Sequence, residues 1–106
     1  MIQVIFNKSE DGVCDGFRVS GHAGYDEYGY DIVCSAVSVL VINTINSIEQ
    51  FTEDGFQVNQ DEKQGLIEFH FVSDISEESV LLIKSLHLGL KGIADSYGNQ
   101  YIQIRD

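Results

Sequence analysis

The sequence predicts an α+β domain of order ββαββαβ, two layers deep, with helices packed on one mixed sheet. Three observations carry this. Short segments alternate apolar and polar residues, a stretch from Asp31 to about Phe51 has no internal Gly or Pro, and a second long segment ending near Tyr97 carries an apolar stripe. The 106 residues make room for one domain and one core, so 1–106 is expected to be a single domain.

Ile2 to Phe6 places Ile2, Val4 and Phe6 on one face, the pattern of a half-buried strand. Asn7 to Gly16 is polar and holds Asp11-Gly12 and Asp15-Gly16, a turn signal. Phe17 to Ser20 resumes the alternation, so the first two strands form a hairpin. Gly21 to Gly29 is a loop rich in glycine and tyrosine. The valines and isoleucines after Asp31 suit a strand, but the unbroken length is that of a helix. Its first half is apolar on nearly every side, which predicts packing on two faces, one against the sheet and one against a second subunit.

Phe56 to Asn59 and Leu66 to Val72 read as the next two strands, the latter with Ile67, Phe69 and Phe71 on one face. Asp74-Ile75-Ser76-Glu77 fits a capping box with Asp74 as N-cap and Glu77 at N3. The second helix follows, with Ile83, Leu86, Leu90 and Ile93 on one stripe, and Gly98-Asn99 ends it. Tyr101 to Ile104 is the last strand.

Seventeen acidic against six basic residues give a net charge of −11, which argues against a nucleic-acid surface and favours basic partners. The N-terminus lacks the cationic start of a signal peptide. The run Ile32 to Ile42 is too short to span a bilayer, so no membrane partner is expected. A cytoplasmic protein keeps its thiols reduced, so Cys14 and Cys34 are expected as thiols and not as a bridge.

Cys34 sits three residues after Asp31. With Asp31 as N-cap, Cys34 is N3, where a thiolate gains from the positive helix end and unpaired amides can hold an oxyanion. His22 ends the second strand, and the loop to Gly29 can fold back to bring its imidazole to the thiol as a base. Two readings of these residues stay open on spacing alone. A Cys near a helix start is most often a small buried hydrophobe, and a loop His is usually exposed. Asp31 likewise reads as a cap or as a group that orients His22.

The other chemistry-bearing residues read as structural. Cys14 lacks a helix end and a nearby His, and His70 and His87 read as strand-face and helix-face residues. Zinc at Cys14, His22 and Cys34 would want a fourth ligand and a closely spaced Cys pair. The glycine loop lacks the Lys-Ser/Thr of a phosphate loop, and Asp26-Glu27 would repel phosphate. No metal or cofactor is expected.

Gly21-His22-Ala23-Gly24, followed by Gly29-Tyr30-Asp31-Ile32-Val33-Cys34-Ser35-Ala36, resembles the signature of the ribosomal-processing cysteine protease family, Prp. The closing Tyr97 to Ile104 region supports the resemblance. It implies a homodimeric enzyme with a Cys–His dyad that removes the N-terminal extension of a large-subunit bacterial ribosomal protein, cutting after an aromatic residue. By motif, Cys34 is the nucleophile, His22 the base and Asp31 the matching acidic position. Tyr25, Tyr28 and Tyr30 would then sit in a loop that closes over the substrate peptide. Ser35, where alanine is common, and Gly98-Asn99, where a proline is frequent, depart from the pattern without touching the dyad. Two rival functions are a non-catalytic ribosome-associated binding module and a thiol redox or acyl-transfer enzyme. The redox reading lacks a resolving Cys-x-x-Cys partner.

Overall fold

Alternating apolar residues build the sheet as the sequence predicts. The computed structural model describes residues 1–21 and 28–106, with side chains in the first helix described from residue 32 onward. Its elements are β1 (Ile2–Lys8), β2 (Cys14–Ser20), α1 (Tyr28–Phe51), β3 (Phe56–Asp61), β4 (Leu66–Phe71), α2 (Glu77–Tyr97) and β5 (Ile102–Arg105). One five-stranded sheet runs in the order β3-β4-β2-β1-β5. Its neighbours are antiparallel except β1 and β5, which are parallel, so the sheet is mixed.

Both helices contribute to one core. Val33, Val37, Val41 and Ile48 of α1 and Ile83, Leu86 and Leu90 of α2 are buried with Ile2, Val4 and Phe6 of β1. The α1 positions recur at helical spacing, so one stripe of a nearly all-apolar helix goes inward. Phe17 and Phe69 stack across the β2–β4 pair with ring centroids 5.0 Å apart. Burial of each such side chain stabilises the fold by about 1.5–3 kcal/mol. The helices approach closely where Gly89 of α2 meets Leu40 of α1, since a Cβ at Gly89 would press on the Leu40 side chain.

Several local expectations are corrected. The β1–β2 hairpin is longer than its alternation suggests, because Lys8 pairs with Cys14 across a register shift at Asn7/Lys8. Its turn is held by Ser9 and Asp11, whose side chains bond each other, and by Gly12 at φ 84°. Helix α2 is capped by Ser76 and not by Asp74, with Glu77 as its first residue. The reason lies outside the local sequence. Asp54 accepts from the Ser76 amide at 2.9 Å and from its hydroxyl at 2.7 Å, fixing Ser76 where its Oγ can accept from the Ser79 amide. Gly98, at φ 106°, closes the helix as expected.

Helix α1 also exceeds its expected apolar run. By length and composition alone, Ile32–Phe51 is apolar enough to cross a membrane, unlike the shorter Ile32 to Ile42 run. Core helices share that length and composition, and the stripe from Val33 to Ile48 is buried in the core beneath it.

Candidate active site

Gly21 ends β2 with φ 109°, and an added Cβ there would collide with the Met1 carbonyl oxygen. Only glycine fits both the backbone angle and the contact, so the first residue of the Gly-His-Ala-Gly motif has a structural reason. The chain leaves the sheet at this point. His22 and Tyr25 lie outside the described residues, as do the side chains of Tyr28 and Asp31.

Cys34 is the seventh residue of α1, half-buried and packed against the core. Neither it nor Cys14 is in a disulfide. Because α1 begins at Tyr28, Asp31 falls inside the first turn and not before it. Asp31 therefore does not occupy the N-cap position expected of it. Cys34 falls in the second turn, where its amide is bonded within the helix and the dipole is largely spent. The oxyanion role expected of the Cys34 amide is withdrawn for the same reason. The sequence before Ile32 hides this, since Tyr28, Gly29 and Tyr30 look like loop.

Cys34 opens onto a cavity of about 400 Å³. One wall is α1, where Val37, Ser38, Val41 and Ile42 follow Cys34. The opposite wall is the β3–β4 turn with Gln60, Asp61 and Glu62, and Gly21 closes the end. The floor is apolar, formed by Ile2 and Val19. Its size and its mix of apolar floor and few polar groups suit a peptide side chain or a small ligand. Among the described residues, both charged residues on its wall are acidic. Asp61 also organises the turn, its Oδ1 accepting from the Lys63 amide at 3.0 Å.

The geometry thus brings Cys34 and Gly21 to one cavity. Ser38, Asp61 and Glu62 were not anticipated. Ser38 was legible in principle, being four residues after Cys34 on the same helix face. Asp61 and Glu62 reach the site only through the β3–β4 pairing, which no local pattern discloses. Among the described residues no group of three or more His, Cys, Asp or Glu is placed to hold a metal ion.

Comparison with known proteins agrees with this geometry. The family described as cysteine protease Prp matches residues 1–103. The ribosomal processing cysteine protease Prp of Bacillus subtilis is 30% identical over 103 residues, covering 92% of this chain and 90% of the relative. The crystal structure of the ribosomal processing protease Prp of Staphylococcus aureus with a substrate peptide superposes with a TM-score of 0.90, at 26% identity and 100% coverage of both chains. The same protease with a covalently linked product peptide gives 0.87, at 28% identity, covering 99% of this chain and 98% of that one.

Proposed function

Since the chain belongs to the cysteine protease Prp family, we propose that Cys34 is its nucleophile, His22 its base, and the N-terminal extension of a large-subunit bacterial ribosomal protein its substrate. The observation that carries this reading is that Cys34 and Gly21 line one cavity. His22 follows Gly21 directly, one peptide step of about 3.8 Å along the chain. A relative that binds a substrate peptide, and another complex with a covalently linked product peptide, support peptide cleavage through covalent chemistry.

The reaction is acyl transfer. His22 takes the Cys34 proton, and the thiolate attacks the scissile carbonyl. The tetrahedral adduct collapses as the imidazolium gives its proton to the leaving amine, leaving a thioester on Cys34. Water, deprotonated by His22, then hydrolyses the thioester and restores the thiol. For Asp31, which lies within α1, the role that fits this reading is to orient His22. Tyr25 and Tyr28 are the residues proposed to close on the substrate. Asp61 and Glu62 give the cavity an acidic wall, and together with the −11 charge they favour a basic ribosomal tail.

The same reading makes residues 1–106 one catalytic domain, cytoplasmic and homodimeric. On α1, Val39 is 66% and Ile42 44% exposed, an apolar surplus that a second subunit would cover. Ile45, further along the same helix, packs on the core. Incubation with a peptide chloromethyl ketone ending in an aromatic residue tests the dyad. The expected product is one covalent adduct on Cys34, formed slowly or not at all in His22→Ala. Labelling at Cys14 instead would overturn the assignment.

A further inference from the structure

A second cavity, of about 280 Å³, lies at the far end of the β1–β2 ladder from Cys34. It shares no lining residue with the Cys34 cavity. Its volume is close to the lower end, about 300 Å³, of cavities that hold small ligands. Its base is apolar, made by Phe6 of β1 with Val80 and Ile83 of α2, and Phe6 and Ile83 are almost wholly buried.

Two cations line it, although the molecule as a whole is strongly acidic. Lys8 at the end of β1 and Lys84 on α2 both line it, two of the six cations of a chain with net charge −11. Among the described residues, neither lysine has a carboxylate within ion-pairing distance. Among the described residues, Asp106 is the acidic residue lining the cavity, and its side-chain Oδ1 lies 2.9 Å from His87 Nε2. His87 is held from its other side by Phe6, with ring centroids 5.0 Å apart. Two lysines therefore share a lining whose acidic side chain already has a partner.

Cys14 lines the same cavity, so the expectation that no histidine lies near it does not hold. Its thiol is not poised to react. It donates to the Gly16 carbonyl oxygen at 3.2 Å, and burial pushes its pKa up, with Asp15 and Asp106 adding to the rise. Cys14, His87 and Asp106 do not converge into a metal-holding group. What remains is a pair of unpaired cations over an apolar floor.

We propose that this cavity binds a small organic carboxylate with a short aliphatic chain, its carboxylate between Lys8 and Lys84 and its chain against Phe6, Val80 and Ile83. The carboxylate matches the two ammonium groups, and each methylene buried on the floor adds to affinity. An inorganic anion would use the lysines but leave the floor unfilled.

Octanoate, acetate and octylamine titrated into the protein, followed by amide NMR shifts, test the proposal. Octanoate should bind saturably with one site and shift the amides of Cys14, Val80 and His87. The Lys8→Met/Lys84→Met variant, altered only at exposed side chains, should bind it about tenfold more weakly. Acetate should bind more weakly than octanoate, and octylamine should leave these amides unmoved. Absence of saturable shifts there, octanoate binding unchanged in the double variant, or acetate binding as tightly as octanoate would each overturn the proposal.

Discussion

Cys34 and Cys14 are both half-buried thiols, and their surroundings separate them. Cys34 opens onto the larger cavity beside Gly21, whereas Cys14 is tied to the Gly16 carbonyl and pushed toward its neutral form by burial. Cys34→Ala is expected to abolish peptide cleavage with the fold intact by circular dichroism, while Cys14→Ser keeps near-normal activity. Asp31 supplies a sharper test. Asp31 lies within the first turn of α1 and not at its N-cap position, so Asp31→Asn should leave the melting temperature within error of the parent. If Asp31 orients His22, the same variant loses most of its kcat; full activity in Asp31→Asn would remove the orienting role. Cys34 stands out in the sequence as the proposed nucleophile because its motif is local. Its position within the helix does not, because glycine and tyrosine at 28–30 carry loop signals that the fold overrides.

At the scale of elements, the caps of α2 show where local patterns end. The Asp74 to Glu77 box was a sound local reading, yet Ser76 caps the helix because Asp54, twenty-two residues away, takes its amide and hydroxyl. The same carboxylate accepts from Ser79 Oγ at 2.5 Å, and Ser79 is 0% exposed. Asp54→Ala would bury that hydroxyl without its partner and loosen the cap, a loss of about 1–3 kcal/mol by denaturant unfolding. Burial pushes the Asp54 carboxyl up, but the bonds from Ser79 and Ser76 outweigh it and hold its pKa below the ordinary aspartate value. A lowered folded-state pKa means the carboxylate's contribution is complete above about pH 4 and lost as pH falls through the folded value. Asp54→Asn should therefore flatten the acid limb of a stability–pH curve, and an unchanged limb would show that other groups set it. The strands, by contrast, were legible almost throughout, because period-two alternation depends only on neighbours. The hairpin's extension to Lys8 and Cys14 escaped because it depends on a register shift.

For the whole molecule, the apolar circumference of α1 is divided between two uses. The Val33 to Ile48 stripe meets the sheet, and Gly89 lets α2 approach Leu40. Val39 and Ile42 remain outside, and Ile42 also borders the Cys34 cavity. A subunit covering these residues would sit at the edge of the Cys34 cavity. Sedimentation at micromolar concentration should give a dimer mass, and Val39→Asp should shift it to monomer; a monomer in the parent protein would contradict the pairing. The fold class and element order were readable from periodicity, while the cavity wall at Asp61 and Glu62 arises only when the β3–β4 hairpin is set beside α1. The central claim is that Cys34 cuts the extension of a ribosomal protein. Intact-mass spectrometry of that ribosomal protein, incubated with the parent enzyme or with Cys34→Ala, tests it most directly. The parent should remove the mass of the N-terminal extension and Cys34→Ala should leave the protein whole; equal cleavage by both, or by neither, would contradict it.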